Sequence, residues 1–248
     1  MSGRTLRGGY LKQDDDRGTL YGVGVGPGAP DLMTLRAARL IEGAVVIAYP
    51  TLAGADSFAR SIAVGLIPAG VEEIVMDVPM TTDRAPAQAA YDAGAARIAA
   101  ALERGQDVVC LCEGDPFFYG SFMYLFARLS GTYRCEVVPG VTSVTACAAR
   151  AGRPLVARNE RLTVLPGPLP EADLRDRIAG AESVALMKVG RHLPKLRAVI
   201  ADLGQTEAAT YVERASLPEE VVLPLSEAPD IAPYFSMILL TKGADPWL

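Results

Sequence analysis

Short apolar runs alternate along the chain with longer stretches in which apolar residues recur every three or four positions. Thr19–Val25 (TLYGVGV), Ala44–Tyr49 (AVVIAY), Glu72–Val78 (EEIVMDV) and Asp107–Cys112 (DVVCLC) have the length and β-branched content of strands. The patterns between them are helical. Asp31–Glu42 places Leu32, Leu35, Ala38 and Ile41 on one face, Phe58–Leu66 forms a shorter helix, and Ala87–Gly105 is a long one ending at a glycine cap. Asp107–Cys112 is apolar on both of its faces, as a strand in the middle of a parallel sheet must be. Ser121–Leu129 reads as a helix, and Cys135–Gly140 as an extended segment ending in a turn.

From there the rhythm changes. A helix at Ser143–Ala151 is followed by strands at Leu162–Leu165 and Ser183–Lys188 and a helix at Leu193–Leu203. Strands at Ala208–Glu213, Glu220–Leu225 and Phe235–Thr241 then come with little helix between them. Parallel neighbours need a crossover of a dozen residues or more, whereas antiparallel neighbours do not. The expected fold is therefore α/β with two α/β domains in tandem, a mostly parallel first sheet and a mixed second one. The boundary falls near Pro139–Gly140. Residues 1–17 are expected to form a flexible tail, 18–139 the N-terminal domain and 140–248 the C-terminal domain.

Composition narrows the chemistry. Half of the 248 residues are hydrophobic, enough to fill sizeable cores. A net charge of −5 gives no general attraction to nucleic acid or to an anionic membrane, so an anionic ligand would need a local basic patch. The cysteines Cys110, Cys112, Cys135 and Cys147 show no CxxC or His/Cys spacing, and His192 is the single histidine, so no metal site is expected. Unpaired thiols suit a reducing cytoplasm. The first residues carry no apolar signal-peptide core, and no apolar stretch approaches the roughly 18 residues of a membrane span.

The first candidate site is the loop after the first strand. Gly24-Val25-Gly26-Pro27-Gly28-Ala29 satisfies the G-x-G-x-x-G/A pattern of dinucleotide folds. Two residues argue against that reading. Pro27 removes an N–H from the cradle that would hold a pyrophosphate. The acid expected about 20 residues later is replaced by Tyr49 and Pro50 in VVIAYPTLAG. A tight turn without a ligand, or a backbone wall against a ligand without phosphates, remain as alternatives.

The second loop lies in CLCEGDPFFYGSFMYLF (Cys110–Phe126), where Glu113-Gly114-Asp115-Pro116 follows the most apolar strand. Loops at the carboxyl ends of parallel strands are where open α/β sheets bind ligands. Gly114 permits close backbone approach, and Asp115 is suited either to a turn or cap or to a ligand. The six aromatics from Phe117 to Phe126 exceed what one helix can bury, so some are expected to line a cavity for something flat. In the third loop, Pro139-Gly140 leads to Thr142 and Ser143, which fit ordinary N-capping positions.

Taken in order, GVGPG-x-P-D-L-x-T-L-R-A, GDP-x-x-YG and PGVTS resemble the tetrapyrrole (corrin/porphyrin) methylases that use S-adenosylmethionine. The likeness spans residues 19–248. EGDPFFYGSFMYLFARL together with YVERASLPEEVVLPL resembles the branch that methylates C20 of precorrin-2 to give precorrin-3A in cobalamin (vitamin B12) biosynthesis. Members acting elsewhere on the ring usually lack that aromatic run. The resemblance implies a cytoplasmic homodimeric C-methyltransferase with its active site in the inter-domain cleft. A cobalt-factor II C20-methyltransferase of the oxygen-independent route, and a non-catalytic module that binds a tetrapyrrole or nucleoside, stand as alternatives. By position it implies cofactor contacts at Pro27, Glu113, Gly114, Asp115, Phe118, Thr142, Ser143, Met187, Ala215 and Ser236, and no metal. Asp115 and Tyr119, with Glu113, are candidates to assist proton loss, and Lys188 and Arg158 to bind substrate carboxylates. Ala29 departs from the family, whose members commonly carry Asp before this proline.

Overall fold

The computed structural model describes residues 16–52, 55–79 and 83–242. Most of the expected N-terminal tail, residues 1–15, lies outside the described residues.

The first sheet contains β1 (Leu20–Gly24), β2 (Val46–Thr51), β3 (Glu72–Asp77), β4 (Val108–Cys112) and β5 (Cys135–Val138) in the order β3-β2-β4-β1-β5, parallel throughout. Both faces are covered. Side chains alternate along a strand, so Val108, Cys110 and Cys112 of β4 pack towards α3 (Ala85–Glu103) and α4 (Phe122–Leu129). Val109 and Leu111 face the opposite layer, with α1 (Leu35–Glu42) and α2 (Phe58–Ala63). This explains the unbroken apolar run in the sequence. Gly22 on β1 shares its face with Leu20, and a Cβ there would run into the ring of Phe122, a wholly buried α4 residue.

The second sheet contains β6 (Leu162–Pro166), β7 (Ser183–Met187), β8 (Ala209–Glu213), β9 (Val221–Pro224) and β10 (Ser236–Thr241), ordered β6-β7-β10-β8-β9. Only β6 and β7 are parallel; the remaining pairs are antiparallel, as the scarcity of helix between them predicts. One face carries α6 (Glu171–Ala179) and α7 (Leu193–Asp202) over Val184, Leu186, Ile238 and Leu240. The other carries α5 (Ser143–Ala151) over Ala185, Val212, Met237 and Leu239.

Two sequence expectations need correction. The first helix does not begin at Asp31. Pro30–Leu32 forms a single 3-10 turn, and α1 starts after Thr34, whose side chain accepts from the Ala37 N–H at 3.2 Å. The inward residues are therefore Ala37 and Ile41, while Leu35 is 75% exposed. Helix α6 was not expected at all. Only Leu174 and Ile178 of its nine residues are buried, a pair spaced i, i+4 that leaves little periodic signal. It is nevertheless the crossover that makes β6 and β7 parallel.

The Gly22–Phe122 contact yields a direct expectation. Gly22→Ala overfills this layer and should lower stability by about 1–3 kcal/mol. Chemical denaturation should show the loss, and Phe122→Leu in the same chain should recover part of it.

Candidate functional site

Strands β4, β1 and β5 are adjacent and parallel, so the loops that follow them leave from the same edge of the sheet. Those loops carry the three sequence motifs. Their backbones are stitched directly together. The Val25 N–H donates to the Cys112 carbonyl at 2.9 Å, and Gly26 and Gly114 exchange hydrogen bonds of 3.3 and 2.8 Å. A Cβ at Gly24 would stand 2.6 Å from the Gly114 oxygen and 2.7 Å from the Gly140 Cα. One at Gly140 would overlap the same oxygen, so the close approach requires glycine at both positions. Gly26 and Gly114 also have φ of +83° and +62°.

Asp115 fastens the second loop to the third. Its Oδ1 accepts from the N–H groups of Phe117 at 2.9 Å and Phe118 at 3.1 Å, and its Oδ2 accepts from Gly140 at 3.0 Å. Thr142 caps α5, accepting from the Thr145 N–H at 3.5 Å. The Ala29 N–H donates to Ser216 Oγ at 3.1 Å, tying the opening loop to the second sheet's side. The donors of residues 25, 26 and 29 thus serve the protein itself, and Pro27 has none. The opening loop is a wall, not a phosphate cradle.

The facing wall comes from the second sheet. Because β10 runs antiparallel to β7 and β8, its first residues sit beside their last ones. Met187-Lys188, Arg214-Ala215 and Tyr234–Met237 therefore converge across from the three loops. Together the walls enclose a cleft of about 910 Å³, counted to its solvent-filled mouth. Tyr119, Lys188, Arg214 and Ser216 adopt φ of +57°, +55°, +47° and +69° at or beside it. Non-glycine residues visit this region rarely, and such strain concentrates where a backbone is held for function.

Pro27, Glu113, Gly114, Asp115, Phe118, Thr142, Ser143, Met187, Ala215 and Ser236, expected from the sequence, all line this cleft, as do Tyr119 and Lys188. Arg158 does not. It is exposed, with φ of +47°, in the segment between α5 and β6. Ser236 contributes scaffold as well as surface: its Oγ donates to the Pro233 carbonyl at 2.6 Å and accepts from the Gly190 N–H at 3.2 Å. Sequence reasoning missed Phe58, Arg214, Tyr234 and Phe235. Arg214 and Phe235 stood inside quoted stretches. Phe58 comes from α2, with no motif beside it, and reaches over to Phe235 with ring centroids 4.5 Å apart.

The electrostatics are local. Glu113 is exposed to the cleft, yet the protein packed around its carboxyl pushes it up to about 6 by desolvation. The Tyr234 hydroxyl is raised above its ordinary value, first by desolvation and then by the charge of Glu113. The Lys188 ammonium sits 5.4 Å from the centroid of the Tyr119 ring, within cation–π range. Among the described residues, no group of three His, Cys, Asp or Glu side chains is gathered to hold a metal ion.

A family model described as Tetrapyrrole (Corrin/Porphyrin) Methylases matches residues 19–229. The chain belongs to this family. Among the relatives of this methylase is the precorrin-2 C(20)-methyltransferase of Sinorhizobium sp, 41% identical over 92% of this chain and 97% of that one. The cobalt-precorrin-2 C(20)-methyltransferase of Salmonella typhimurium is 36% identical over 91% of this chain and 97% of its own. Of solved structures, the uroporphyrin-III C-methyl transferase from Thermus thermophilus complexed with S-adenyl homocysteine superposes with a TM-score of 0.66 at 27% identity. The match covers 90% of this methylase and 97% of that chain.

Two outcomes follow from the site's polar geometry. Asp115→Asn turns an amide donor towards the Gly140 N–H or loses the turn acceptor, and should lower the unfolding free energy by about 1–3 kcal/mol. Equilibrium denaturation reads this directly. For Glu113 the folded value near 6 lies above the ordinary 4.5, so the folded protein holds this proton more tightly than the unfolded chain. Its contribution favours folding below pH 4.5 and is lost as pH rises through 6. The melting temperature of Glu113→Gln, plotted against pH, should lack that decline.

Proposed function

We propose that this methylase transfers a methyl group from S-adenosylmethionine to C20 of precorrin-2, giving precorrin-3A and S-adenosylhomocysteine in cobalamin biosynthesis. The observation that carries this reading is the 41% identity to the Sinorhizobium precorrin-2 C(20)-methyltransferase over nearly the full length of both chains. A homodimer acting in the cytoplasm belongs to the same reading. So do two domains, 18–139 and 140–248, with the cleft between them as the active site.

The cleft suits such a methyl donor. Its opening loop offers no row of free N–H groups for phosphates, so a nucleoside without them fits better than a dinucleotide. In this reading Pro27, Gly114 and Phe118 wall the cofactor on one side, with Met187 and Ala215 on the other. Thr142, Ser143 and Ser236 border it. When bound, S-adenosylmethionine supplies a methyl group already activated on a sulfonium, so the protein needs no nucleophile of its own. What the residues contribute is alignment and exclusion of water. Holding two reactants in line can lower a barrier by roughly 7–11 kcal/mol.

Methylation at a ring carbon releases a proton. Asp115 has its carboxylate engaged by three backbone N–H groups and serves the loops. Glu113 lines the same cleft, accepts no hydrogen bond among the described residues and has its carboxyl pushed up to about 6, closer to working pH. Glu113 is therefore the better placed of the two to take the proton. Lys188 supplies a cation for a substrate carboxylate.

The Salmonella relative, named for a cobalt-containing substrate, supports the second reading at 36% identity. The two are separated by incubating the protein with S-adenosylmethionine and either metal-free or cobalt-loaded substrate. The expected product from metal-free precorrin-2 carries one added methyl group at C20, located by carbon-13 labelling. A clear preference for the cobalt-loaded ring moves the assignment to the second reading. Binding of S-adenosylhomocysteine without transfer to either substrate would reduce the protein to a binding module.

A further inference from the structure

Arg214 and Glu213 are neighbours at the end of β8, and successive side chains on a strand point to opposite faces. Here they do not diverge. The left-handed backbone at Arg214 breaks the alternation, and its Nη1 donates to Glu213 Oε1 at 2.6 Å. Glu213 is buried, with its side chain 11% exposed, and its Oε2 accepts from the hydroxyl of Tyr211, which is wholly buried, at 2.8 Å. The Arg214 N–H is anchored on the Phe235 carbonyl at 2.9 Å, and its own carbonyl accepts from Leu217 at 3.0 Å. The guanidinium is thus held at one corner by a buried acceptor. Its side chain is 40% exposed, and Arg214 lines the cleft. Nε and Nη2 donate to nothing among the described residues.

A buried carboxylate is costly to keep, and breaking its pairing leaves an uncompensated charge. A strained arginine on such an anchor, facing a ligand cleft, has the geometry of a fork presented to an oxyanion. We propose that Arg214 binds a carboxylate of the molecule occupying the cleft, and that Glu213 is the residue that positions it. The carboxylate has two possible sources, the amino-acid tail of the cofactor or an acid side chain of the tetrapyrrole. The inference rests on the cleft being the methyl-transfer site proposed above.

The test compares the full chain with Arg214→Ala and Arg214→Lys by calorimetric titration of S-adenosylhomocysteine and of methylthioadenosine, which lacks the amino-acid tail. The KM for the tetrapyrrole is measured alongside. If the cofactor tail is the partner, Arg214→Ala weakens S-adenosylhomocysteine roughly 10- to 100-fold and leaves methylthioadenosine unchanged. If the substrate is the partner, both nucleosides bind as before and KM rises by a similar factor. Arg214→Lys recovers part of either loss. Equal weakening of both nucleosides, or no change beyond about twofold in any of the three, overturns the inference while the wild-type activity stands. Failure of the wild-type protein to bind S-adenosylhomocysteine overturns the functional reading instead, and this inference with it. Glu213→Gln, or Glu213→Asp if the first does not fold, should move the same parameter as Arg214→Ala with kcat retained. A wild-type value in a folded Glu213 variant removes the positioning role.

Discussion

The hydrogen bonds exchanged by Gly26 and Gly114 set the separation of the loops after β1 and β4, and Asp115 extends that spacing to the loop after β5. At 24 and 140 backbone meets backbone so closely that only glycine fits, and at 114 a left-handed φ of +62° favours it. A side chain at 24 or 140 would force neighbouring strands' loops apart and lift one wall of the cleft. The parallel sheet supplies the common edge. The glycines and a single carboxylate convert that edge into a surface.

The second sheet reaches the same place by different means. Reversing β10 between β7 and β8 brings two strand ends and one strand start to one side. Residues far apart in sequence, such as Met187, Arg214 and Phe235, become neighbours in the wall. Specific side chains link the two sheets' sides. Phe118 packs from the second loop against the core beneath α5, Ser216 receives the Ala29 N–H, and Phe58 meets Phe235 ring to ring at a tilt. Apolar, polar and aromatic contacts all bridge the cleft, together with the Lys188 ammonium over the Tyr119 ring.

Much of this was legible beforehand because local patterns and loop motifs are short-range information. All ten strands among the described residues lie within a few residues of their expected positions, and the three motif loops meet at one cleft. What escaped was either weakly patterned locally or set by partners far along the chain. Helix α6 buries too few residues to announce itself, and α1 begins late because Pro30 first makes a separate turn, after which Thr34 caps the start of the helix. Arg158 and Arg214 look alike in sequence, each an arginine close to a motif. Only the fold distinguishes them, since one lies in an exposed connecting segment and the other at a strand end beside a buried acid. Asp115 offered both a turn-forming and a ligand-facing reading in the sequence, and the three main-chain donors on its oxygens are contacts that only the fold reveals.

The occupied donors of the opening loop carry one more meaning. Cells hold phosphorylated nucleosides in abundance, and a glycine-rich turn leading from a strand into a helix is a ready site for their phosphates. Val25, Gly26 and Ala29 of this turn have already given their N–H groups to Cys112, Gly114 and Ser216, and Pro27 has none, so an adenine carrying phosphates finds few donors there to replace the water it must shed. A bias against phosphate is thus written into the main chain, ahead of any side chain that lines the cleft.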